Sequence, residues 1–161
     1  MLELLASRVC HDLISPIGAV GNGLELIEEG GGDTAGDALQ LSVNCVKRAS
    51  ALLEFFRMAY GAAGSDASLR WDAARGLAAG LLNGSKIALV WPPMPTGLEL
   101  PPGAAKLLLN LVLLATDTLP RGGEIAIGVD PAGNRLTLSV TASGRDARVT
   151  EEMGAALKAD S

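Results

Sequence analysis

Apolar residues recur at steps of three or four from the start of the chain: Leu2, Leu5, Val9, Leu13, Ile17, Val20, Leu24 and Ile27. That period places them on one stripe of an amphipathic helix. Pro16 falls inside the run. Lacking an N–H and crowding the preceding turn, it is expected to interrupt and kink the helix. Gly30, Gly31 and Gly32 end the run, and Asp33 or Asp37 can cap the next helix. A second stripe, Leu39, Val43, Val46, Ala49, Leu53, Phe56 and Tyr60, predicts a helix over 38–60. Two long helices joined by a short loop make an antiparallel hairpin. A hairpin has no closed core by itself, and two copies side by side close a four-helix bundle, so a homodimer is expected.

After a small-residue linker over 61–68 the texture changes. The pattern predicts a helix over 71–82, a strand over 86–91 and a Pro-rich connection over 92–102. Residues 103–119 read as a helix apolar on most sides, hence buried. Alternating strands follow over 124–129 and 135–141, with Asp130-Pro131-Ala132-Gly133-Asn134 as the hairpin turn. A last helix is expected over 150–158. The fold class is α+β: an N-terminal helical hairpin, residues 1–62, followed by a small α/β sandwich, residues 63–161.

Composition narrows the function. Thirteen Lys+Arg against 18 Asp+Glu give a net charge of -5, which argues against phosphate neutralisation of nucleic acid and against an anionic membrane surface. Charged residues are only 19% and hydrophobic ones 48%. Disorder is excluded by that balance, and a partner subunit is expected to cover part of the apolar surface. Cys10 and Cys45 make no disulfide framework and read as reduced thiols. Arg8, His11 and Asp12 break the first apolar run, so no signal peptide is read. The stretch over 107–115 contains Asn110 and is too short to span a bilayer. The expectation is a cytoplasmic protein. One His and two Cys make a zinc site within the chain improbable, and no metal is expected.

His11 is the only histidine. At about 100° per residue it lies opposite the apolar stripe. Its face holds Ser7, Ser15, Gly18, Asn22, Glu25 and Glu29, small and polar groups open to a visitor. The bland alternative is a solvated histidine with no role. The sharper one is a nucleophile: a neutral imidazole is available near neutrality and can hold a phosphoryl group as a phosphoramidate. Asp12 can hold one ring nitrogen, and Ser15, one turn along, can bond a phosphoryl oxygen or back-bond to the helix beside Pro16. Gly18 and Asn22 leave a shallow surface on which a globular partner can approach. Serine hydrolase chemistry lacks a G-x-S-x-G turn, and no Walker A sequence is present. Gly122-Gly123 reads as a turn, and Glu28-Glu29 as a solvated helix end.

The run His11-Asp12-Leu13-Ile14-Ser15-Pro16 resembles the H-box of sensor histidine kinases. The longer run from Leu5 to Val20, with Asn22-Gly23-Leu24-Glu25-Leu26, more closely resembles the ChpT-type histidine phosphotransferases of alphaproteobacteria. The second half is similar in outline to a histidine-kinase ATP-binding domain, with Leu107 to Val112 and Pro120 to Ile125 paralleling its N-box region. Leu114 stands where a kinase has its magnesium-binding second Asn, Asp117 where it has a basic residue, and Ala142-Ser143-Gly144 where it has Asp-x-Gly. Phosphoryl transfer from ATP needs those metal and phosphate contacts.

The resemblance therefore implies a degenerate domain with no cofactor and a relay role. His11 is the implied phosphoacceptor, supported by Asp12 and Ser15. It takes phosphate from a receiver domain of a hybrid kinase and gives it to a response regulator of the CtrA type, with magnesium supplied by the receiver. Arg8, Gly18, Asn22 and Glu25 are the implied docking residues. Two alternatives stay open: an ATP-dependent sensor-kinase core, and a non-catalytic dimeric scaffold for receiver domains.

Overall fold

The computed structural model describes residues 2–29, 33–61, 70–132 and 135–149. In chain order the elements are α1 (Leu2–Glu29), α2 (Asp33–Tyr60), α3 (Trp71–Leu82), β1 (Ile87–Val90), α4 (Ala104–Asp117), β2 (Gly123–Ala132) and β3 (Arg135–Ser143). The chain forms two compact units, Met1–Arg57 and Met58–Ser161, so the end of α2 belongs to the second. The helix expected over 150–158, most of the linker and the glycine loop lie outside the described residues.

In the first unit α1 runs through Pro16 without the expected interruption. α2 begins at Asp33, before the predicted start. Asp37 is therefore interior to the helix and does not cap it. Acidic residues in a first turn face the positive end of the helix dipole, which favours the earlier start.

The contact between the two helices is made in part by small residues. Gly23 is buried: a Cβ there would collide with Ser42 Oγ and stand 3.2 Å from the Ala38 carbonyl oxygen. Gly23 lies near the end of α1 and Ala38 and Ser42 near the start of α2, so the contact makes the pair antiparallel. Ser42 Oγ donates to Ala38 O at 2.9 Å, a bond that satisfies the hydroxyl inside the seam. Pro16, Gly23, Ala38 and Ser42 are buried, and further along α2 so are Leu52, Phe55 and Phe56. Several large apolar residues of the two predicted stripes are exposed in the single chain, Ile17 59%, Leu39 55% and Val46 51%, while Phe56 of the second stripe is buried. Small residues let two helices approach closely, and the bulky rows beside them are left facing outward. On a projection of about 100° per residue, Pro16 and Gly23 fall on one flank of the Val9–Val20–Ile27 line. Ile17 and Leu24 fall on the other.

The second unit is a three-stranded sheet in the order β1-β2-β3. β1 is parallel to β2, with Leu89 opposite Ile125. β2 is antiparallel to β3, with Ile125 opposite Ala142 and Ile127 opposite Val140. These residues share one face, because side chains alternate along a strand. Helices α3 and α4 pack against the sheet, and α4 is the crossover a parallel pair requires. Trp71, Ala74, Leu108, Leu109, Val112 and Ile125 form the core. α4 is not buried on most sides as expected: Leu107 and Leu114 are exposed. Pairing of β2 with β3 continues to Ala132 opposite Arg135. The hairpin connection is therefore shorter than the predicted five residues, because Asp130, Pro131 and Ala132 join the ladder.

Gly122 and Gly123 form the turn into β2. Their φ values of 85° and 148° suit glycine, and Gly123 N–H donates to Lys86 O at 3.0 Å. The Pro-rich segment is anchored by tryptophan. Trp71 Nε1 donates to Pro92 O at 2.8 Å, and the Trp71 and Trp91 rings meet edge-on, with centroids 5.1 Å apart.

Candidate functional site

The sole imidazole stands on α1, and its side chain is 88% exposed. Helical periodicity produces this position directly: the polar face bearing His11 points away from the Pro16–Gly23 flank that meets α2. His11 Nδ1 lies 3.1 Å from Asp12 Oδ1. The other carboxylate oxygen, Asp12 Oδ2, lies 3.5 Å from Arg8 Nε across one helical turn. Arg8 Nε is itself shielded from solvent. Arginine, carboxylate and imidazole thus form a short chain on the helix surface. The ring meets the carboxylate through Nδ1, which leaves Nε2 pointing outward with its lone pair when Nδ1 carries the proton.

The remaining expected positions lie along the same face. Ser15, Gly18, Asn22 and Glu25 are all exposed. A Cβ added at Gly18 would meet nothing within 4 Å, so the surface below His11 is open. Ile14, 71% exposed, borders this strip. Arg8 was expected to face a partner. The structure places it on Asp12 as well, and the spacing of four residues between opposite charges was the signal for that tie. Cys10 is exposed beside His11 and Cys45 is half-buried; both are free thiols.

In the second unit, Leu114 and Ala142 come together. They line one hollow of about 330 Å³ with Leu111, Thr118, Val140 and Arg148 among its walls. Most of that lining is hydrocarbon. Asn110, the asparagine retained in the N-box-like helix, points elsewhere: its Nδ2 donates to Ala59 O at 3.1 Å and to Lys106 O at 2.8 Å. Lys106 Nζ donates to Gly61 O at 3.1 Å. Both side chains tie α4 to the end of α2 within this unit. Among the described residues no group of three or more His, Cys, Asp or Glu could hold a metal ion. No helix among them is long and apolar enough to cross a membrane.

Comparison with known proteins gives three findings. Residues 71–161 match the profile of the histidine phosphotransferase C-terminal domain family. The chain is 41% identical over 148 residues to the protein phosphotransferase ChpT of Brucella abortus (strain 2308), covering 91% of this chain and 68% of that protein. A solved structure described as a bacterial phosphotransferase, 38% identical, superposes with a TM-score of 0.78 over 95% of this chain and 72% of the other. Likeness of that extent spans the helix bearing His11 and the sheet-bearing half alike, so the chain belongs to the ChpT-type histidine phosphotransferases.

Proposed function

We propose that this protein is a phosphohistidine carrier in a phosphorelay. His11 receives a phosphoryl group from the aspartyl phosphate of a receiver domain and passes it to the aspartate of a response regulator. One observation carries the reading: an imidazole 88% exposed, held by its Nδ1 side against Asp12. Nε2 attacks phosphorus, the P–O bond to the receiver's carboxylate breaks, and the carboxylate leaves with the electron pair. The ring then bears positive charge, which the Asp12 carboxylate offsets. Transfer onward reverses these steps on a second receiver. Ser15 lies one turn away, within reach of a phosphoryl oxygen. Gly18, Asn22 and Glu25 border the face on which receivers dock. The magnesium ion that phosphoryl transfer needs belongs to the receiver.

The first 62 residues act as a dimerising hairpin. Ile17 and Leu24 on α1, with Leu39, Val43, Val46 and Leu53 on α2, are large apolar residues left exposed in the single chain. Burying the exposed half of each contributes about 1 kcal/mol, and a second copy packing on these rows completes a four-helix bundle. Residues 63–161 are a kinase-like ATPase domain that has lost its nucleotide. The placement of Leu114 and Ala142 in one largely apolar hollow supports this, since triphosphate and magnesium call for charged and carbonyl or carboxylate groups. The relay operates in the cytoplasm, and the recipients are regulators of the CtrA type.

The test is incubation with a ³²P-labelled receiver domain. An acid-labile, base-stable label on this chain is expected, absent from His11→Ala. A label persisting in His11→Ala refutes the assignment. Micromolar ATP binding would favour a kinase core instead.

A further inference from the structure

We propose that Arg8 is a positioning residue for phosphoryl transfer, acting through Asp12 to set the tautomer and direction of the His11 ring. The inference rests on the phosphocarrier reading above. Its starting point is an unusual exposure. With its side chain 88% in solvent, His11 has few packing walls to fix it. Among the described residues, the one hydrogen-bond partner of the ring is Asp12. A carboxylate adjacent in sequence can swing about its own side-chain torsions, so it orients the ring only if it is itself held.

Arg8 supplies that restraint. It occupies Asp12 Oδ2 at 3.5 Å from the turn below, leaving Oδ1 for His11 Nδ1. Arg8 and Asp12 are both half-buried, at 31% and 26% side-chain exposure, whereas the ring they direct is not. Restraint is thus built from the shielded side of the helix outward. A charged partner behind a carboxylate fixes the direction in which that carboxylate holds the ring, as the partners of ligand histidines do.

The consequence for the reaction is specific. Asp12 accepts the Nδ1 proton, so the neutral ring keeps its lone pair on Nε2. When Nε2 bonds phosphorus and the receiver carboxylate departs with the P–O electron pair, no proton has to leave. The positive charge on the ring stays beside Asp12. Without Arg8, Asp12 rotates away, and the ring relaxes toward the Nε2–H tautomer that free histidine prefers. That tautomer has no lone pair on the outward nitrogen.

Three variants test this in the full chain, with a phosphorylated receiver domain in single-turnover transfer and ¹H–¹⁵N correlation of the ring. Arg8→Met keeps the aliphatic stem and removes the charge. It is expected to lower the saturating transfer rate about tenfold, to leave the half-saturating receiver concentration within about twofold, and to raise the Nε2–H tautomer. Arg8→Lys, which still reaches Asp12, is expected to restore transfer to within about threefold. On an Asp12→Asn background, Arg8→Met should add nothing. Arg8→Gln serves the same purpose should Arg8→Met unfold. An unchanged rate, a loss confined to half-saturation, or additivity with Asp12→Asn overturns the proposal; the latter two would mark Arg8 as a docking residue. If the wild type takes no label at all, the carrier reading fails, and the ring tautomer, which needs no receiver, still decides the role of Arg8.

Discussion

The seam of the hairpin makes Gly23→Ala the most discriminating single substitution. In an open helix position, Gly→Ala stabilises by about 1 kcal/mol. At Gly23 the added methyl lands on Ser42 Oγ, which sits 2.9 Å from Ala38 O in a bond that satisfies a buried hydroxyl. The hydroxyl must rotate and abandon that bond, leaving a buried polar group unpaired at a cost of about 1–3 kcal/mol. The methyl then still stands 3.2 Å from the Ala38 carbonyl, so the helices must part slightly. The sum is a net loss of up to about 2 kcal/mol.

Gly18 is the internal control, since a Cβ there meets nothing within 4 Å. Gly18→Ala is expected to gain up to about 1 kcal/mol. Urea unfolding followed by circular dichroism, at one fixed protomer concentration, measures both. Adding Ser42→Ala to Gly23→Ala removes the obstructing oxygen and should recover most of the loss, a coupling that the double-mutant cycle reads directly. A Gly23→Ala protein as stabilised as Gly18→Ala would refute the close approach of α1 and α2.

The other expectations are simpler. His11→Ala should abolish the receiver-derived label while unfolding within about 0.5 kcal/mol of wild type, because the ring is exposed; gel filtration should show the dimer intact. Val46→Glu sets a charge on the uncovered α2 row in both copies and should convert the dimer to monomer in sedimentation, with loss of transfer only as far as the bundle is needed. Asn110→Leu strips the Ala59 carbonyl of its donor and should cost about 1–3 kcal/mol, measured by thermal melting, while leaving ATP titration as flat as in wild type.

The exposed strip of α1 was legible because its signal is local. One histidine, an acidic neighbour and a face of serine, glycine and asparagine fix exposure by helical period alone, and the coordinates put His11, Ser15, Gly18, Asn22 and Glu25 on one open strip. The small-residue contact within the hairpin was not legible, for the opposite reason. Hydrophobic periodicity reports every apolar position on a helix but does not say which neighbour each one meets. Bulky residues such as Leu39 and Val46 mark the stripe most strongly. The intrachain contact instead belongs to Gly23, Ala38 and Ser42, whose small side chains carry almost no hydropathy signal. Pro16 misled similarly. A helix can lose one hydrogen bond there and continue when packing holds it, and Pro16 is buried against the hairpin rather than projecting from it.

The second unit shows how the two kinds of information combine. Sequence pattern located β1, α4 and the β2–β3 hairpin to within a few residues, since each has its own period. It could not show that Leu114 and Ala142, far apart in the chain, share the walls of a single hollow. That meeting is a product of register: Ala142 pairs with Ile125 in the sheet, and α4 lies over the same face. Asn110 is the complementary case. As a letter it looks like a surviving nucleotide contact, but its amide is engaged by Ala59 O and Lys106 O, carbonyls that only the fold brings to it. Its amide nitrogen is committed to carbonyls inside the protein, which fixes how the side chain is held. The same logic separates the halves of the molecule. In the sheet-bearing unit Asn110 and Lys106 close on backbone carbonyls, whereas on α1 Arg8 and Asp12 stand behind a ring left in solvent. An outward-facing nucleophile held from behind suits transfer to a partner, and on that ground the proposed chemistry is placed on α1 and not in the hollow.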